Sequence, residues 1–552
     1  MRLCVITRSN GVTHRALAHV RPIPAGRAAG RCRTRGGRKS LGLGLGALIL
    51  LWPFTAAHAE TRQIDPRNPP HGRFSDEWAE IYLAGGKVGY THSTMTRAGN
   101  EIHSATTMKM RMGRLDSPVE IVISERAAET VDGRPVRFET AQELGAMKTS
   151  MKGTFQDGRM TVVSSQFGME QKRSFDFPEA AHLKSWGMFR ESLVRGFSPG
   201  TQYTLKVYEP AFGIESAVET QTTVADWEDF ELRGSTGRGI RTTVVMESPI
   251  GSLTTTAWVN EHGIPLKAKV PVPGFGDLVI VAADQESALS DFVPPEIFMS
   301  TVVPANRPID AASARRITYK ITPKSPDIQI GDLPATGMQS VRPGKNGAVE
   351  VVVARQRRSA AKPAGAKSSA SEHREYLDGN LMINVADPAL IELAQKAAGG
   401  EKEPVALADR LRRFVTDYVE TKSLNVGFAT ASEVCRTKEG DCSEHSVLLA
   451  ALGRINGLPS RVVVGLVYLP SLGGRSDVFG YHMWTEFLID GRWLDYDAAL
   501  RESDCSPTRI AFATSSLKDD GLADLSLPLM KTIGAIDIEV LEIEDGPAGS
   551  GP

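Results

Sequence analysis

The 552-residue sequence predicts a multidomain protein: an all-β N-terminal region, a small β domain, then a C-terminal α+β domain. Three observations predict this. From about Glu77 to Phe292, short alternating apolar runs are separated by Gly, Asp and Asn. Beyond Tyr376 the apolar spacing becomes helical and then returns to strand-like runs. Between them lie a proline cluster (Pro294, Pro295, Pro304, Pro308) and an Ala/Ser/Lys/Arg/Pro-rich stretch at Arg355–Glu375.

The chain begins with a leader, residues 1–59, that holds ten Lys/Arg and no Asp or Glu. Its apolar run Leu41–Ala57 is short for a membrane span, and Ala57-His58-Ala59 is an A-x-A-like cleavage signal. The expectation is a secretory signal and export to the periplasm, with an uncleaved inner-membrane anchor as the alternative. The long basic region also leaves room for a true start downstream of Met1. Without the leader the net charge falls from −1 to −11, which gives no basis for nucleic-acid binding.

Residues 60–295 are expected to form the β-rich N-terminal domain, a sandwich or open barrel. Tryptophan- and valine-bearing runs such as Trp78–Leu83 and Thr255–Val259 are its strands, and one short helix is expected near Glu179–Val194. Residues 296–354 are read as a small second β domain, with strands at Arg316–Ile321 and Ala348–Val353. Residues 355–375 then form a flexible linker.

The C-terminal domain, 376–545, opens on Asp387-Pro388, a helix start with proline in the first turn. Leu407, Leu411, Phe414, Val415 and Tyr418 recur at helical spacing. A third helix starts at Asp441/Cys442 and is ended by Gly457 and Pro459. Arg461–Leu469 reads as a buried strand. Tyr481–Ile489 and Arg492–Asp497 follow as a hairpin, because Asp490-Gly491 is the strongest short hairpin signal.

The hairpin makes a geometric prediction. A two-residue turn pairs Ile489 with Arg492 and puts Trp484 opposite Asp497. His482 then shares a face with Asp497 as its diagonal neighbour, about 5–8 Å away at Cβ. Cys442 at a helix start meets free N–H groups and the positive end of the dipole, which favour a thiolate. Thiol, imidazole and carboxylate together are the parts of an activated nucleophile: Cys442 attacks, His482 is the base, Asp497 orients it. Asp495, on the same face, is the rival third member. His445, one turn after Cys442, either supports the site or bonds nearby backbone, and Trp484 and Trp493 shield or pack it.

Cleavage of the leader leaves Cys435, Cys442 and Cys505, an odd number, so at least one thiol is free. Cys435 and Cys505 are either a disulfide or two separate buried thiols. A zinc set of Cys435, Cys442, His445 and Cys505 lacks any finger-like spacing, and neither metal nor cofactor is expected.

G-D-C-S-E-H at 440–445, G-L-P-S-R-V-V-V-G-L at 457–466, H-M-W-T-E-F-L-I-D-G-R-W at 482–493 and L-D-Y-D-A at 494–498 resemble the bacterial branch of the transglutaminase-like superfamily, a papain-related group. The resemblance covers about residues 376–520 and implies Cys442, His482 and Asp497 as nucleophile, base and orienting carboxylate. Ala498-Ala499 replaces the Pro-Thr that often follows the Asp. The implied activity is attack on a peptide or protein amide through a thioester. Hydrolysis is the expected outcome; amine transfer (cross-linking) and a non-catalytic scaffold are the alternatives.

Overall fold

The computed structural model describes residues 64–546 apart from 114–117, 146, 167–168, 211–213, 233, 249–250, 273, 326–327, 329, 357–372, 423–427, 519–524, 526–527 and 530. The leader with its cleavage signal and most of the expected linker lie outside the described residues. Among the described residues no helix is long and apolar enough to cross a membrane.

Successive strands between Gly72 and Ala283 pair into one fifteen-stranded sheet. Two antiparallel meanders, the second ending in a short parallel strand at Ala181–His182, join where the Gly72–Leu83 strand pairs with Gly276–Ala283. Apart from Met169–Asp176 and Ala181–His182, which end the sheet on its two sides, consecutive strands hydrogen-bond each other or close the order through the first and last strands, so among the described residues this region has no second sheet to make a sandwich. The sheet curls instead. The Tyr208 ring lies 5.6 Å from Phe138 and 5.5 Å from Phe177, bringing strands from opposite ends of the hydrogen-bonded order into one apolar cluster. The short helix runs Trp186–Arg195, starting later than its apolar residues alone indicate. Its start is set by a residue distant in sequence: the buried Glu129 carboxylate accepts the Trp186 and Gly187 N–H groups at 2.7 and 2.9 Å.

The expected small β domain at 296–354 is not self-contained. Its strands Gln339–Pro343, Val349–Ala354 and Ala314–Pro323 form a sheet completed by the C-terminal strand Ile536–Asp545. Tyr319, Val351 and Ile538 share a core with Leu466, Phe479 and Phe512 of the α+β domain. Three short strands bury too little apolar surface alone, and the second layer supplies the rest. The segment before them adds a further strand, Val303–Pro304, to the edge of Arg475–Ile489.

In the α+β domain, Arg475–Ile489 and Ser460–Leu472 pair at the centre of a sheet flanked by Arg509–Ser515 and Arg492–Tyr496. The helices Pro388–Ala398, Pro404–Tyr418 and Ala431–Thr437 pack around a fourth, Cys442–Ile455. That central helix is buried from Ser443 to Arg454, because sheet and helices cover it on all sides. It packs tightly on the sheet at Gly453, where a Cβ would lie 2.2 Å from the Phe487 ring. Gly453→Ala is therefore expected to cost about 1–3 kcal/mol by overpacking, read as a lower urea midpoint with an unchanged slope.

Candidate active site

Cys442 is the first residue of the central helix and is half-buried. The turn before it is built by a capping box. Asp441 Oδ1 accepts the Ser443 N–H at 3.0 Å, and Glu444 Oε2 accepts the Asp441 N–H at 2.9 Å. Glu444 is fully buried, and its other oxygen accepts the Ala429 N–H at 2.9 Å, which ties the preceding loop to the helix start. Burial, reinforced by the Asp441 charge, pushes the Glu444 carboxyl up to about 8. Gly440 is required beside it: φ is +155° and a Cβ would meet the Glu444 side chain at 2.2 Å. The G-D-C-S-E order thus follows from local packing as well as from chemistry.

The helix is fastened to the strand that carries His482. The Thr485 hydroxyl donates to the Ser446 carbonyl at 3.0 Å, one turn into the helix that Cys442 opens. His482 and Asp497 are joined directly: Nε2 lies 2.7 Å from Asp497 Oδ2. The hairpin explains this. Asp490 and Gly491 both have positive φ, 51° and 73°, as a type I′ turn needs, and Ile489 pairs with Arg492 through to Thr485 with Tyr496. A carboxylate only accepts, so Nε2 carries the hydrogen and Nδ1 is the basic nitrogen.

Asp497 is 1% exposed and bonded on both oxygens. Oδ1 accepts the Leu500 N–H at 2.9 Å; Oδ2 also faces Arg509 Nη1 at 3.4 Å. Burial alone would raise its pKa, but His482, Arg509 and the Leu500 N–H outweigh that and hold the carboxyl well below the usual range. Arg509 is itself buried, bonded to Glu502 at 2.5 Å, with its guanidinium 5.2 Å from the Trp484 ring centroid. Arg509 and Glu502 carry no motif, and only their tertiary placement identifies them.

The remaining candidates occupy other places. Asp495 accepts the Trp484 indole N–H at 2.7 Å and stands opposite Glu486, so it braces the sheet and does not bond His482. Burial and the facing Glu486 charge raise the Asp495 carboxyl well above its ordinary range. Trp484 packs 6.4 Å from the His482 ring, nearly parallel to it. Trp493 is covered by the Arg461 guanidinium at 4.2 Å and the Tyr376 ring at 4.9 Å. His445 is buried, with Nδ1 2.6 Å from the Asp441 carbonyl. The expected linker is anchored at its described start: Gln356 donates to the Trp493 carbonyl at 2.6 Å and accepts the Asp495 N–H at 3.1 Å.

Cys435 and Cys505 are free, so of the two alternatives the disulfide is not formed. They belong to different cores, one under the helices and one between the sheets. Burial pushes both thiols up, which makes them poor nucleophiles. Among the described residues no group of three or more His, Cys, Asp or Glu is placed to hold a metal ion.

No curated protein matches the chain. Among solved structures, a candidate cysteine protease from Cytophaga hutchinsonii aligns at 15% identity, with a TM-score of 0.28 over 43% of this chain and 90% of that one. A beta-barrel-like protein of a domain of unknown function from Brucella abortus aligns at 13% identity, with a TM-score of 0.29 over 40% of this chain and 96% of that one. A candidate protease from Parabacteroides distasonis aligns at 10% identity and a TM-score of 0.19 over 68% of each. Residues 391–498, which contain Cys442, His482 and Asp497, match the family model of the transglutaminase-like superfamily.

Proposed function

We propose that this chain is an exported cysteine hydrolase that cleaves an amide of a peptide or protein, with Cys442, His482 and Asp497 as its triad. The observation that carries the reading is the 2.7 Å bond from His482 Nε2 to Asp497, which leaves Nδ1 as the base. The Thr485–Ser446 bond supports it by holding the helix of Cys442 against that strand.

In the proposed cycle the Cys442 proton passes to His482 Nδ1. The thiolate attacks the amide carbonyl, and the Cys442 N–H at the helix start stabilises the oxyanion. The C–N bond breaks, and the leaving amine takes the proton from His482. Water, deprotonated by His482, then attacks the thioester, the C–S bond breaks, and a carboxylic acid and the thiol are released. An amine in place of that water would give cross-linking. Half-exposure of Cys442 leaves the thioester within reach of water and favours hydrolysis. The basic leader with its A-x-A-like site supports export.

Two measurements test this. Iodoacetamide labelling of Cys442 should proceed well below the ordinary thiol range of about 8.5, and a normal titration would count against the triad. Digestion of a peptide library with and without a labelled primary amine should release new carboxyl ends. Label incorporation that outcompetes hydrolysis would make the protein a transferase.

A further inference from the structure

The concave face of the N-terminal sheet carries an unusual belt. Ser93, Thr106, Glu125, Thr140 and Met151 occupy directly paired positions on five successive strands. All five line one cavity, where the inner face of a curled sheet would ordinarily be apolar. The cavity volume is about 80 Å³, room for several waters or one amino-acid side chain.

The charges around the cavity are already matched. Lys184 Nζ lies 3.3 Å from Glu125 and 3.0 Å from Glu209, and exposed Arg126 sits at the rim. Lys184 bridges the two carboxylates, so both already have a counter-charge and call for none from an occupant. Ser93 and Thr106 bond each other at 3.0 Å. Ser104 differs: it is 8% exposed, lines the cavity, and its hydroxyl has no partner. A buried hydroxyl left unpaired costs about 1–3 kcal/mol, a cost an incoming polar group would remove.

The walls narrow the chemistry. Met95, Phe138, Met151 and Leu183 give an adaptable apolar side. Gln142 adds a carboxamide, which offers a donor and an acceptor side by side, the complement of a peptide group. Flat aromatic faces for a sugar are lacking, because Phe138, Tyr208 and Phe177 pack on one another. An acyl chain would leave the Ser104 hydroxyl unpaired. We propose that this lumen is a binding site for an uncharged peptide segment, with an apolar side chain against the methionines and Phe138 and its amide on Ser104 and Gln142. The site is separate from Cys442 and does not depend on the chemistry proposed there.

The test uses the full chain carrying Cys442→Ala, so that turnover plays no part. Blocked tripeptides (acetyl-Ala-X-Ala-amide with X = Leu, Met or Phe) are titrated by calorimetry beside N-acetylglucosamine and octanoate. Tripeptide binding is expected. Ser104→Ala should weaken it about three- to tenfold while leaving the unliganded melting temperature unchanged or higher, since it removes an unpaired hydroxyl. Met151→Trp, which fills the lumen without removing a polar group, should abolish binding while the protein still melts cooperatively. Saccharide or fatty-acid binding in place of peptide overturns the proposal. So does the absence of tripeptide binding at millimolar concentration, or tripeptide binding that neither lumen variant alters.

Discussion

Replacing Cys442 by alanine is expected to abolish amide cleavage, by about 10⁴-fold or more, with the melting transition little changed. The magnitude follows from the covalent step: without the sulfur no thioester forms, and only binding and the oxyanion donor remain. The small effect on stability follows from position. Cys442 is half-buried at the edge of the helical core, and the helix start is held by Asp441 and Glu444, whose bonds the substitution leaves in place. Peptide cleavage followed by mass spectrometry and a thermal melt read the two quantities separately. A variant that still cleaves would transfer the activity to another group; Cys435 and Cys505 are poorly suited, since burial raises both thiols.

Asp497→Asn should lower kcat by about 10²–10⁴-fold with a smaller change in KM, and should also destabilise the fold. Asp497 has three donors aimed at it: His482 Nε2, the Leu500 N–H and Arg509 Nη1. An amide presents one acceptor and one donor, so at least one of the three meets an N–H group. Arg509 also loses part of its counter-charge inside the protein. Breaking a buried pair of this kind costs about 3–5 kcal/mol, read by urea unfolding.

The pH dependence has a definite sign. The folded pKa of Asp497 is depressed, so its contribution to stability is present above the unfolded value of about 3.9 and is lost as pH falls toward the folded one. Unfolding free energies of the parent should therefore fall more steeply below about pH 4 than those of Asp497→Asn. Equal slopes would mean that Asp497 is not selectively stabilised as a carboxylate.

Much of the site was legible because its determinants are local. Asp490-Gly491 dictates the turn, the turn dictates the register, and strand parity puts His482 and Asp497 on one face. The helix start at Asp441/Cys442 is likewise local, and the structure adds that Asp441 and Glu444, three residues apart, close it as a capping box. The supports of the site were not legible. Arg509 reaches Asp497 from a strand beyond the hairpin, and Gln356 reaches Asp495 across 139 positions. Nothing periodic in the chain announces either contact.

The same division holds for the whole molecule. Alternation, helical spacing, caps and turns are short-range properties, and by themselves they determined the all-β N-terminal half, the α+β C-terminal domain and the placing of Cys442 at a helix start. Tertiary structure alone decided how those pieces close. Ile536–Asp545 returns to complete the sheet begun at Ala314–Pro323, and the N-terminal strands curl into one sheet around a lumen of mixed polar and apolar lining. Such pairings are chosen by which apolar faces can be covered once the whole chain is present. That depends on residues hundreds of positions apart, and no local pattern encodes it.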